Sequence, residues 1–286
     1  MSWFLFAASS VFLFTALNLL QRVVALNSKD ARAMALVFNF IASVFAILLF
    51  LITGSYKNFY LPEGATAWIG LLIASLMYGL FERGRFYVAK LLDASIFTII
   101  INISVVVAFT GSLILYSETL SLRKLIGAIL ILFALFIVSF RRKDIKNKGT
   151  PMKSIAVGVL ISIFLGLGWM LDKMGATYFN ASTYNIFIWV LPLVFIYFPH
   201  IKFKNIKSEL KIASWKIALL AFINVLGYFL QLKALELQEA TRVIPVVQTA
   251  TLFTVLLGIF ILKEKESIAK KVIASFIAVT GVYFLI

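Results

Sequence analysis

Few residues of this 286-residue chain could do chemistry, and nearly all of them stand inside apolar runs. Tyr78, Glu82 and Arg85 recur at i, i+4 and i+7, so on a helix they share one face. Asn224, Tyr228 and Gln231 repeat that spacing in a second run, while Asn102, Gln248, Asn18 and Trp169 stand singly in four others. Phenols, carboxamides, one carboxylate and one guanidinium can recognise a small polar molecule by hydrogen bonding and charge. A desolvated Glu82 could also carry a proton, although Arg85 beside it favours the ionised form. The set contains no catalytic constellation. There is no Cys, a single His (His200), no HExxH pattern and no paired-Asp motif. Disulfides and thiol chemistry are therefore excluded, and neither a metal, another cofactor nor an enzymatic activity is expected.

The elements that position these residues follow from composition. Hydrophobic residues make up 62% of the chain and charged ones 14%, against roughly 45–50% and about 25% in soluble domains. This is the composition of an integral membrane protein, all-α and polytopic. Ten apolar segments are long enough to cross a bilayer, near 3–24, 33–53, 66–90, 94–116, 122–140, 153–176, 183–199, 214–235, 240–262 and 268–286. The first lacks a basic leader and reads as a retained helix. The longest polar link, RRKDIKNKGTP, divides the chain into 1–140, a basic linker at 141–152, and 153–286. Five helices per half is an odd number, so two copies of one unit must insert in opposite orientations.

Charge gives the expected topology. Of 27 Lys and Arg, 21 lie in or beside the odd-numbered links, which places those links in the cytoplasm and both termini outside, in the cell (inner) membrane. The net charge of +15 would suggest nucleic acid in a soluble protein. Here the charges sit between apolar runs, so their partner is the lipid bilayer and its anionic headgroups, and no nucleic acid is expected.

Internal repetition is faint in identity and clear in pattern. A shift of 146 lays residues 93–140 on 239–286 with six of 48 positions identical, and brings Glu118-x-x-Ser121-x-x-Lys124 onto Glu264-x-x-Ser267-x-x-Lys270. The same shift pairs Tyr78, Glu82 and Arg85 with Asn224, Tyr228 and Gln231, and Asn102 with Gln248. A shift of 151 pairs Asn18 with Trp169 and Arg22 with Lys173. Each half thus resembles the EamA-type unit of the drug/metabolite transporter superfamily. The resemblance is carried by Phe86-Tyr87-Val88-Ala89 with Asp93-Ala94-Ser95 and Ser117-Glu118, and again by Ala234-Leu235 with Glu239-Ala240-Thr241 and Lys263-Glu264. Two positions depart from it. Val105 and Thr251 stand where the family often has a Pro, and Asn39 stands near its usual Arg. The resemblance implies ten helices in two inverted repeats and transport of a small polar or amphipathic metabolite, often outward, by alternating access.

Polar groups inside a bilayer are costly, so those present usually face a cavity. Two symmetry-related stripes suggest one substrate-binding cavity between segments three, four, eight and nine, closed by segments one and six. Each residue also has a plainer role open to it. Glu82 and Arg85 are spaced as a self-neutralising ion pair, and Asn102 and Gln248 as interhelical glue. Trp169, Trp189 and Tyr228 could be aromatic walls or packing, and Glu118 and Glu264 suit anchors of their turns. Gly79, Gly84, Gly166 and Gly168 permit close helix contact, and Asp172-Lys173 could pair with each other or stand at a gate. A zwitterion such as an amino acid would suit Glu82 with Arg85, with proton coupling possible. A lipid or lipid-linked sugar flippase and a non-transporting scaffold are the alternatives.

Overall fold

The computed structural model describes residues 2–92, 100–139, 152–261 and 268–286. The described residues form twelve α-helices and one short 3-10 turn, with no strand among them. In chain order these are α1 (Trp3–Asn27), α2 (Ala31–Ile52), α3 (Ala65–Leu91), α4 (Ile103–Leu115), α5 (Leu122–Ser139) and α6 (Met152–Phe179). They continue with α7 (Ala181–Val190), α8 (Pro192–Tyr197), α9 (Phe203–Leu237), α10 (Ala240–Gln248), α11 (Ala250–Ile261) and α12 (Ile268–Leu285). By length and composition, Trp3–Gln21, Ala31–Ile52, Ala65–Leu91, Met152–Phe179 and Ser214–Leu237 can each cross a membrane. The chain is a multi-pass membrane protein.

Several expected segments are subdivided, for local reasons. The seventh breaks between α7 and α8, because Pro192 has no N–H to continue the helical ladder. The ninth breaks at Thr249, just beyond α10, whose interior holds Pro245. The eighth begins early. Residues 203–213 are helical, and a reversal at Ser214 (φ 51°) separates them from the apolar span that follows. The linker at 140–151 and residues 93–99 and 262–267 lie outside the described residues, and with them Asp93-Ala94-Ser95 and Lys263-Glu264.

Packing is organised in exchanged pairs. α1 lies along α9 and touches α10 and α11; α6 lies along α3 and touches α4. α2 meets α9, α7 and α3, α4 meets α10, and α5 pairs with α12. Small residues allow these approaches, since lipid supplies no hydrophobic drive between helices and close backbone contact must do the work. A Cβ on Gly127 would lie 2.8 Å from the carbonyl oxygen of Gly281, and one on Gly281 would lie 2.8 Å from that of Gly127. Ser10 on α1 donates to the carbonyl of Gly227 on α9 at 2.8 Å. The buried face of α2 includes Ala33, Ala35, Ala42 and Ala46.

Links are held by side chains that satisfy helix ends. Asp30 accepts from the amides of Arg32 and Ala33 and so caps α2. Glu209, fully buried, accepts from the amides of Lys29 (2.9 Å) and Asp30 (2.7 Å), tying 203–213 to the α1–α2 link. Asn205 adds a 2.7 Å bond to the free Asp30 oxygen. Elsewhere Glu118 accepts from the amides of Ala240 (2.9 Å) and Thr241 (3.1 Å) and from the Thr241 hydroxyl, which caps α10. The turn that carries Glu118 places Ser117 at a φ of 49°.

Candidate functional site

The site is built around Asp172 on α6, fully buried, where side chains from three other helices converge. Its carboxylate accepts from the hydroxyls of Tyr78 on α3 (2.6 Å), Tyr228 on α9 (2.7 Å) and Tyr184 on α7 (3.1 Å). Two glycines of α6 make room for this. A Cβ on Gly168, one turn before Asp172, would fall 2.9 Å from the Tyr78 ring, and one on Gly175 would fall 2.1 Å from the Tyr184 ring. With any side chain there, the phenols could not close on the carboxylate. Gly166 serves a related end, admitting the Ser104 carbonyl and Val107 of α4.

A second polar cluster lies further along α3. Arg85 pairs with Glu82 at 2.6 Å, and both residues are 5% exposed. Its other terminal nitrogen donates to Gln21 of α1 at 2.7 Å. The guanidinium also lies over the rings of Phe38 (5.1 Å), Phe86 (5.3 Å) and Phe81 (5.8 Å). Such stacking favours a cation that has left water. The pair is therefore interior, held from α1, α2 and α3 together.

Aromatic rings join the two clusters. Tyr78 and Tyr228 meet edge to face at 6.1 Å, Tyr228 and Trp189 at 5.7 Å, and Trp189 and Phe38 at 6.2 Å. Along α3, Tyr78 and Arg85 are separated by about 10 Å of helical rise. Among the described residues, three buried polar atoms in this region have no hydrogen-bond partner: Glu82 Oε2, Asn185 Oδ1 and Trp189 Nε1. Such atoms cost free energy unless something pairs with them, so they mark places where a bound molecule gains most.

The expected residues fall into two groups. Tyr78 and Tyr228 share Asp172, and Glu82 and Arg85 share each other. Asn224 and Gln231, on the same helix as Tyr228, are both buried, while Trp169, Asn102 and Gln248 are partly buried. Asn18 stands apart. It is exposed and donates to Thr254 of α11 at 3.3 Å, at the α1–α11 seam. Asp172 and Lys173 do not pair, because neighbouring residues on a helix point about 100° apart. Lys173 instead donates to the Leu235 carbonyl at 2.6 Å. Asp172, and not Glu82 alone, is thus a carboxylate of the interior. A signal for it existed, since the shift of 151 lays Gln21 on Asp172. Tyr184 had none.

Glu118 anchors a turn, as its position suggests, but the lysine beside it looks elsewhere. Lys124, 2% exposed, pairs with Glu239 at 2.7 Å. Among the described residues no group of His, Cys, Asp or Glu could hold a metal ion.

The chain superposes on a solved structure described as "Crystal structure of protein", with a TM-score of 0.70 at 13% identity, over 98% of this chain and 94% of the other. At that identity the likeness concerns the fold. No curated protein matches the sequence. The model of the EamA-like transporter family matches residues 152–286, the half that contributes Asp172, Tyr184 and Tyr228. Residues 152–286 therefore form a domain of the EamA-like transporter family, which lies in the drug/metabolite transporter superfamily and is a family of membrane transporters and not of enzymes.

Proposed function

We propose that this transporter moves a small amphipathic metabolite carrying an ammonium group, such as an amino acid or a related amine, by alternating access. One observation carries the reading. Asp172 is buried among three phenols, and among the described residues no Lys or Arg pairs with it. A buried carboxylate without a counter-ion suits a cationic ligand group, and tyrosine and tryptophan faces favour a cation beside it. The chain around Asp172 and Trp189 then receives the rest of the substrate, with Asn185 and Trp189 offering an acceptor and a donor.

The exchanged packing of α1 with α9 and α6 with α3 supports an inverted-repeat architecture of ten membrane passes. The repeats are 1–140 and 153–286, joined by the linker at 141–152. In this reading the odd-numbered links are cytoplasmic, both termini are outside, and export through the cell (inner) membrane is the working direction. Protons are the proposed counter-substrate, because a proton and an ammonium group can replace one another at a single carboxylate. A lipid or lipid-linked sugar flippase is the second reading. It is favoured by exposed Asn18, which bonds to partly buried Thr254 at the α1–α11 seam.

The test is thermal stabilisation of the purified protein by amines, amino acids and their N-acetylated counterparts, with Asp172→Asn and Tyr228→Phe in parallel. A ligand that binds only the folded form raises the melting temperature by mass action. Stabilisation by free amines, absent for the acetylated compounds and lost in Asp172→Asn, is the expected result. Stabilisation that survives both acetylation and Asp172→Asn overturns the reading.

A further inference from the structure

The helical stretch 203–213 has two faces with different partners. Phe203, Lys204, Lys207, Leu210 and Lys211 recur at i, i+1, i+4, i+7 and i+8, one continuous stripe. All five are exposed, Phe203 by 75% and Leu210 by 50%, and Trp215 just beyond the reversal at Ser214 is 64% exposed. Lys202 and Lys216 extend the basic character at both ends. The only acidic residue, Glu209, is on the opposite face, fully buried against the amides of Lys29 and Asp30, with Asn205 one turn earlier bonded to Asp30.

We propose that the stripe from Lys202 to Lys216 is a docking surface for anionic phospholipid headgroups, lying in the plane of the membrane interface. Three features select that occupant. The stripe is positively charged throughout, its exposed large side chains are apolar or aromatic, and it leads within one residue into the apolar span Ser214–Leu237. A helix that alternates lysines with Phe, Leu and Trp puts its rings and alkyl groups at the acyl boundary and its ammonium groups at the phosphates. The reversal at Ser214 allows 203–213 to leave the direction of the span and follow the surface. An acidic protein would match the charge but would leave Phe203, Leu210 and Trp215 without a reason to be exposed.

The absence of cysteine makes the test clean. A nitroxide on Leu210→Cys reports the depth of the stripe through its relative accessibility to oxygen and to a water-soluble nickel chelate. It is measured after reconstitution of the full chain into vesicles of phosphatidylcholine or of phosphatidylcholine and phosphatidylglycerol at about 7:3. Each lysine near an anionic surface strengthens attachment about fivefold, so Lys204→Gln, Lys207→Gln and Lys211→Gln together weaken it about a hundredfold. The expected result is a label in the lipid phase of the mixed vesicles, and closer to water in pure phosphatidylcholine. The triple variant is expected to be close to water in both. These lysines are exposed, and among the described residues none of them makes a hydrogen bond or ion pair, so the variant is expected to fold. An equal depth in the two lipids, a triple variant that behaves as the parent, or a water-exposed label in the anionic vesicles overturns the proposal. None of these outcomes depends on the substrate.

Discussion

At the scale of the residue, the site is decided by what is absent from α6. Gly175→Ala would place a methyl group within 2.1 Å of the Tyr184 ring, and overpacking of this kind costs about 1–3 kcal/mol. The expected result is a lowered melting temperature in detergent together with loss of ligand stabilisation. The Glu82–Arg85 pair has a different signature. Removing either partner alone strands a buried charge and costs about 3–5 kcal/mol, whereas removing both costs less than either. A double-mutant cycle with Glu82→Gln and Arg85→Gln, followed by thermal unfolding, should show that inversion, and additive losses would mean that the two residues are not coupled. Tyr78, Glu82, Arg85 and Tyr228 were legible in the sequence because their spacing fixes a helical face. Asp172 was visible only as a partner for Lys173 or part of a gate, and it is the geometry of the helix that separates two consecutive side chains. Tyr184 reaches Asp172 from a separate helix, a contact that no periodicity within one segment encodes.

At the scale of the element, carboxylates act on helix beginnings across the chain. Glu118 satisfies the first amides of α10 from 122 residues away, and its charge faces the positive end of that helix. Glu118→Gln keeps the shape and removes the charge; a loss of about 0.5–2 kcal/mol is expected, read as a lower melting temperature. Its counterpart under the shift of 146, Glu264, lies outside the described residues. Glu209 plays the corresponding part for the α1–α2 link, and Glu209→Ala should increase proteolytic cleavage between Asn27 and Arg32 while leaving the rest of the chain resistant. The apolar segments themselves were legible from composition. Their breaks at Pro192 and Thr249 depend on which backbone groups lose a partner, and the helix at 203–213 is too charged to register as an apolar run. Its pattern becomes clear once Glu209 is seen turned inward and the lysines outward.

At the scale of the whole molecule, the proposed orientation is open to direct measurement, because any introduced cysteine is the only one. Lys57→Cys, between α2 and α3, should react with a membrane-impermeant maleimide in intact cells. Lys207→Cys should react only after permeabilisation. The reverse pattern would invert the assignment, and labelling of both from one side would break the inverted repeat.

The contact between α5 and α12 bears on how such a molecule could move. Gly127 and Gly281 each bring backbone to within 2.8 Å of the space a Cβ would occupy on the other. With backbone this close, and Ile131, Phe284 and Leu285 packed around it, the two helices have little room to slide past one another. In the alternating-access reading proposed above the junction would serve as a fulcrum, with the rocking taken up where α1 runs along α9 and α6 along α3, and a short covalent tether between α5 and α12 should leave turnover intact.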